Sequence, residues 1–194
     1  MKLTSAARPM SEPPALRGGH GVLLGAATVL LCIAAGAAFA QDAAPAGEVE
    51  TWFTRLEVVF VTVLAVVASI FLHYESLSFL TFRLRLAKLA ARPRILVLIF
   101  AILCTHVLEI WIFGGAYFWL LSTGGHGSLL ASHAIRLPDA VYFSAVSYTT
   151  LGLGDIVPVG AIRFLVGMES ITGFVLVTWS ASFTYFEMER FWRR

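Results

Sequence analysis

Charge is what this sequence has least of. Asp, Glu, Lys and Arg together supply 13% of its 194 residues, about half the ~25% of an ordinary soluble domain. Disorder, which needs high charge and low hydrophobicity, is excluded. The formal net charge is +2, too little to mark nucleic acid as the partner. Cysteine is nearly absent: Cys32 and Cys104 both lie in apolar runs, which leaves no disulfide framework and no cysteine-based zinc cluster. His106 and Glu109 do not form a His-Glu-x-x-His pattern, and no nucleophile–base constellation is visible, so an enzyme is not expected. Apolar residues are abundant instead, at 58% of the chain, with a mean hydropathy of +0.81. An ordinary soluble globule is excluded, and the expected solvent is lipid.

The first forty residues read as a secretory signal. Lys2, Arg8 and Arg17 form a basic lead, residues 22–37 an apolar core, and Ala38-Phe39-Ala40 a small-x-small cleavage pattern. The other reading is an uncleaved first spanning helix. Beyond residue 40 the chain carries eleven basic and eleven acidic residues. Residues 41–57 read as a solvated lead on the periplasmic side, 58–94 as an extra spanning helix with a basic connection, 95–187 as a second unit, and 188–194 as a basic tail.

Three apolar runs follow the lead. Residues 58–72 are short against the ~20 needed to span, but Trp52 and Tyr74 extend them into the interfaces. Residues 95–121 and 161–185 are long enough without help. Arg83, Arg85, Lys88, Arg92 and Arg94 crowd the first connection, and Arg190, Arg193 and Arg194 close the chain, whereas residues 122–160 hold only Arg136. The positive-inside rule then places residues 74–94 and the C-terminus in the cytoplasm and 122–160 outside the inner (plasma) membrane. Leu84, Leu86 and Leu89 interleave the arginines as an interfacial stretch would, but a plain topology signal is the preferred reading.

Residues 122–160 are more than a loop. Ser122-Thr123-Gly124-Gly125-His126-Gly127 reads as a flexible turret, with His126 and His133 as solvated histidines. Pro138 and Asp139 then open a helix of about three turns, too short to cross a bilayer. It must dip in and return through Thr150-Leu151-Gly152-Leu153-Gly154-Asp155. Irregular backbone at membrane depth persists only where it is buried in protein or lines water. Alternating glycines permit backbone angles that turn successive carbonyls toward one axis, and rings of such oxygens replace a cation's hydration shell. The helix's negative C-terminal end favours a cation in the cavity beside it.

Here the chain resembles the potassium-channel family, whose pore module runs outer helix, pore helix, filter, inner helix. The family filter T-x-G-[YF]-G-D is matched at every position but the aromatic one, which is Leu153. Asp139-Ala140-Val141-Tyr142-Phe143-Ser144 and Thr149-Thr150 look like the family's pore-helix pattern. The resemblance implies an all-α integral membrane fold, a potassium-channel-like pore module preceded by one extra transmembrane helix. It also implies a filter of Thr150, Leu151, Gly152, Leu153 and Gly154, with potassium held at Thr150, Leu151, Gly152 and Leu153, and Asp155 at the outer mouth. With one pore segment per chain, three identical subunits and membrane lipid are the expected partners. No soluble ligand and no cofactor are expected, the permeant potassium being cargo. Residues 58–72 lack the spaced arginines of a voltage sensor. The function expected is therefore a passive tetrameric cation channel, most consistent with potassium selectivity. A weakly selective channel and a non-conducting channel subunit or scaffold are the alternatives.

Ionisable residues within spans mark pathways or buried pairs. Glu169 lies about 12 Å into the last span at 1.5 Å per residue, expected behind or below the filter. His106 and Glu109, three apart, share a helix face and are expected to brace the pore. The alternative for all three is an inter-helix polar contact with no gating role. Hydroxyls at Ser170, Thr172, Thr178, Ser180, Ser182 and Thr184 read as a stripe lining water, and Gly173 as either a hinge or a close-packing point. Cys104 reads as an inert buried thiol, and Tyr142, Phe143 and Tyr148 as aromatics crowding Leu153.

Overall fold

The computed structural model describes residues 52–86 and 91–192. The signal at 1–40, the lead as far as residue 51, Lys88, Arg193 and Arg194 lie outside the described residues. In chain order the elements are α1 (Trp52–Leu86), α2 (Ala91–Thr123), β1 (Ser128–Leu130), α3 (Leu137–Tyr148), β2 (Val157–Val159) and α4 (Arg163–Trp192). Within α1, α2 and α4, the stretches Trp52–Leu84, Pro93–Thr123 and Arg163–Arg190 are long and apolar enough to cross a membrane.

The first helix departs most from expectation. It does not end near Leu72 but continues for fourteen more residues, and it begins at Trp52 rather than Val58. Charge alone does not stop a helix; a missing apolar face does. Leu77, Leu80 and Leu84 recur at helical spacing and are buried with Leu98 and Ile102 of α2, and Phe183 of α4 packs on the same cluster. Leu84 is thus a packing residue, and the basic stretch is not a topology signal alone. Arg83 lies over the Phe79 ring at 4.9 Å, and Arg94 of α2 meets Glu187 of α4 at 3.8 Å.

The expected turret is ordered. β1 pairs antiparallel with β2, Ser128 opposite Val159 and Leu130 opposite Val157, so the segment before α3 is stitched to the segment after the glycine motif. His126 is buried rather than solvated. Its Nε2 lies 2.8 Å from Glu57 Oε2 on α1 and its Nδ1 3.2 Å from the Leu120 carbonyl. His133 is exposed, as expected. Cys104 faces outward instead of being buried, because its neighbours Ile102 and Thr105 take the inward face.

α3 starts where Pro138 and Asp139 foretell it. Asp139 Oδ2 accepts the Arg136 backbone N–H at 2.8 Å, closing one of the donors a helix start leaves open. That bond and the neighbouring His133 hold the Asp139 carboxyl below its ordinary 3.8. Its charge, and the cap with it, is kept at every pH above that value and is lost only as pH falls through the lowered one.

Two glycines let this short helix sit deep. A Cβ on Gly114 of α2 would stand 2.8 Å from Val141 Cα, and one on Gly173 of α4 would stand 2.2 Å from the Tyr148 carbonyl oxygen. Both are notches into which α3 is pressed, which places Gly173 as a close-packing point. Gly115, beside Gly114, has nothing within 4 Å of such a Cβ. Gly114→Ala is therefore expected to cost about 1–3 kcal/mol by overpacking, while Gly115→Ala gains about 0.5–1 kcal/mol of helix propensity. Thermal melts of the detergent-solubilised variants should shift in opposite directions.

Candidate functional site

The site grows from the C-terminal end of α3. Ser144 and Tyr148 are four apart and so share one face of the helix. Ser144 Oγ donates to Glu169 Oε1 of α4 at 2.5 Å and lies 2.9 Å from the Ile110 carbonyl. Tyr148 Oη donates to Glu109 Oε2 of α2. Tyr117 Oη of α2 completes the second cluster by donating to Glu169 Oε2 at 2.5 Å. Glu109 and Glu169 are both fully buried. A buried carboxylate persists only when its oxygens are met by donors, and each here has them.

Beyond Tyr148 the backbone turns back on the helix that precedes it. The N–H groups of Thr149, Thr150 and Leu151 donate to the carbonyls of Ala145, Ser147 and Val146 at 3.2, 2.9 and 3.0 Å, and that of Gly152 donates to Val146 at 3.3 Å. Ser170 Oγ of α4 adds a bond to the Ser147 carbonyl at 3.0 Å. Among the described residues no donor is bonded to the carbonyls of Thr150, Leu151, Gly152, Leu153 or Gly154. The N–H groups at the start of this strand, as far as Gly152, are consumed, and its carbonyls are left over.

The handedness of the strand alternates. Thr150, Gly152 and Gly154 have φ of 57°, 57° and 79°, and Leu151 and Leu153 between them do not share that positive region. Alternation of this kind points successive carbonyls toward the same side, and glycine adopts it without steric cost. Thr150 does so against the preference of a β-branched residue, a strain of about 1–3 kcal/mol. Its Oγ1 bond to the Thr149 carbonyl at 2.7 Å helps to hold it. Leu151 and Leu153 are 63% and 59% exposed, so this chain alone does not cover them. Asp155 is also exposed and accepts a bond from Tyr142 Oη at 2.8 Å. That bond pushes the Tyr142 hydroxyl above its ordinary 10.0, so it stays a donor across the physiological range.

The expected site residues fall into two groups. Residues 150–155 form one continuous strand at the end of α3, while His106, Glu109, Glu169 and Gly173 stand behind it. His106 and Glu109 do interact, Nδ1 to Oε2 at 2.8 Å, and Glu169 packs against α3, where it is bonded to Ser144. The aromatics do not gather on Leu153. Phe143 packs edge-on against Tyr117 at 5.1 Å, Tyr148 lies beside Phe113 and His106, and only Tyr142 reaches the strand's far end. The hydroxyls of α4 are bonded to their own helix: Ser170, Thr172, Thr178, Ser182 and Thr184 lie within hydrogen-bond distance of carbonyls four residues back, Thr172 buried and Thr178 and Ser182 exposed. Ser170 also reaches the Ser147 carbonyl, and Ser180 lies 3.1 Å from His106 Nε2.

Sequence reasoning missed His73, whose Nδ1 lies 2.8 Å from Glu109 Oε1. Its signal is an ionisable residue directly after the apolar run 58–72, inside a helix that continues to Leu86. Tyr117 and Ser144 were also missed, since neither spacing nor composition separates them from ordinary packing residues. The buried bonds to Glu169 are expected to dominate stability. Ser144→Ala should cost about 1–3 kcal/mol by removing one of that carboxylate's donors, whereas Tyr142→Phe, at an exposed bond, should leave the melting temperature within error.

Residues 105–188 match the family model described as Ion channel. No curated protein and no solved structure matches the chain. The matched segment takes in most of α2, all of α3, the glycine strand and nearly all of α4, and it leaves α1 outside. With three helices able to span, the chain is a multi-pass membrane protein with a segment that matches an ion-channel domain.

Proposed function

We propose that the chain is one quarter of a homotetrameric, potassium-selective channel. Thr150, Leu151, Gly152, Leu153 and Gly154 form its filter, and Asp155 lies at its outer mouth. The observation that carries this reading is the row of carbonyls at residues 150–154 that accept no hydrogen bond among the described residues, on a backbone of alternating handedness. Four such strands around an axis would stack rings of oxygens able to replace a potassium ion's hydration shell. The C-terminal end of α3, with its partial negative charge, would face the cavity below. The outward apolar surface of Leu151, Leu153, Ile171, Phe174 and Val175 supports assembly, because neighbouring subunits and lipid would cover it. The arginine distribution supports a filter that opens outward and a cytoplasmic C-terminus. Passive conduction needs no catalytic group, and none is assigned.

Two measurements test this reading. Mass analysis in mild detergent should give four copies, and the same material in potassium-loaded liposomes should pass cations down a gradient. A monomer or dimer that conducts, or a well-assembled tetramer that passes no cation, would overturn it, the latter in favour of a non-conducting subunit.

The weakly selective alternative has one observation in its favour. Leu153 offers neither a hydroxyl donor nor a ring edge to brace the strand, and Phe143 and Tyr148 are committed elsewhere. The coordinating oxygen at that position belongs to the backbone, so the ion chemistry persists in a softer frame. Leu153→Tyr should then raise preference for potassium over sodium, read as a shift of the bi-ionic reversal potential with assembly checked separately. An equal or lower preference in a correctly assembled variant would reject the softer-frame account.

A further inference from the structure

Behind the glycine strand three ligand-type side chains converge, two from the matched channel segment and one, His73, from outside it. His73 Nδ1 of α1 lies 2.8 Å from Glu109 Oε1, and His106 Nδ1 lies 2.8 Å from Glu109 Oε2. One ligand atom from each of the three falls within 4.8 Å of the others. The far nitrogens meet a single hydroxyl: Ser180 Oγ is 3.1 Å from His106 Nε2 and 3.3 Å from His73 Nε2. The His73 and Glu109 side chains are fully buried, and His106 is 14% exposed.

Counting protons in this ring shows what it lacks. A carboxylate only accepts, so with two neutral imidazoles both Nδ1 atoms must carry the proton and both Nε2 atoms become acceptors. Ser180 has one hydroxyl proton for two such acceptors, and one buried nitrogen goes unserved, a costly state. A cation held between the two Nδ1 atoms and the carboxylate removes the conflict. Both protons then sit on Nε2, and both N–H groups donate to the two lone pairs of Ser180 Oγ. This is the outer-sphere arrangement that fixes the tautomer of metal-bound histidines. Ser69, one turn along α1 from His73, is fully buried, and its hydroxyl has no partner among the described residues.

We propose that His73, His106 and Glu109 bind a divalent transition-metal ion of the zinc class, which clamps α1 onto the channel domain. Two imidazoles and a carboxylate are an established zinc donor set. The fourth position falls to water or to Tyr148 Oη, which is 3.0 Å from His106 Nδ1. Metal–ligand bonds of 2.0–2.1 Å in a tetrahedral site separate ligand atoms by about 3.4 Å, so the two 2.8 Å contacts would open by about half an ångström, within reach of side-chain rotation. Tyr148 ends α3 and immediately precedes the Thr149-Thr150 pair, so an ion here would stiffen the footing of the strand.

Binding of Co²⁺, a spectroscopic substitute for Zn²⁺, to the purified full chain in detergent tests this without reference to conduction. One Co²⁺ per chain with the intense visible absorption of a tetrahedral site, displaced by Zn²⁺, is expected. His73→Gln and His106→Gln should each weaken binding more than about tenfold, and Ser180→Ala by about 10–100-fold as an outer-sphere loss. His133→Gln, on the exposed loop, should change nothing. His73→Cys keeps a ligand at that position and should add a thiolate-to-cobalt charge-transfer band, which also guards against misreading an unfolded Gln variant. Three results would overturn the proposal. They are no cobalt spectrum in the folded wild type, a spectrum indifferent to both histidine substitutions, and a metal-free protein stabilised as pH falls through the histidine range, which would make an added proton the occupant.

Discussion

Everything at the glycine-strand end of this molecule rests on two buried carboxylates gripping one face of a twelve-residue helix. Ser144 and Tyr148, one turn apart on α3, donate to Glu169 and Glu109, which reach in from α4 and α2. Helices in lipid gain little from apolar contact with each other, since lipid tails are as apolar as leucine, so close packing and polar contacts decide where they sit. A short helix that does not cross the membrane has even less to locate it. The paired hydroxyl–carboxylate contacts supply that location. Gly114 and Gly173 make it geometrically possible by letting α3 approach both neighbours at backbone distance.

With α3 fixed, the strand after it has little freedom. Its first N–H groups are absorbed by the last carbonyls of α3, the usual way a helix end disposes of orphan acceptors. The same bonds orient the strand, because they tie its N–H groups through Gly152 back to the helix and leave its carbonyls unbonded among the described residues. The far end is held separately, by Tyr142 on Asp155 and by the pairing of β2 with β1. Between those anchors lie the two exposed leucines, so the strand is supported at its ends and left bare at its middle. Support from outside the protomer is what four-fold assembly would provide.

Much of this was legible in the sequence because it follows from hydropathy and backbone chemistry. The spans, the short re-entrant helix with its Pro138–Asp139 start, and the glycine alternation at 152 and 154 all come from local rules. The positions that went unread depend on contacts between distant segments. The continuation of α1 past Leu72 is driven by Leu77, Leu80 and Leu84 meeting α2, which no window over α1 alone reveals. The burial of His126 depends on Glu57, 69 residues away. Tyr148 looked like a filter-bracing aromatic, yet its hydroxyl was claimed by Glu109. A residue's type indicated that it was polar or aromatic, and the partner that used it could be found only in three dimensions.

α1 lies outside the matched channel segment, yet it is not loosely attached. It touches the rest of the protein through histidine–carboxylate contacts at two levels, Glu57 with His126 near its start and His73 with Glu109 in its second half. Sixteen residues separate them on the helix, about 24 Å at 1.5 Å per residue. One contact ends beside the loop that leads into β1, the other beside the residue that ends α3. A helix held at two heights slides or rotates only by breaking these contacts; the His73–Glu109 pair is fully buried, whereas Glu57 is partly exposed, so the His73–Glu109 pair is the costlier one to break. The extra helix is therefore held in register with both ends of the glycine strand's support.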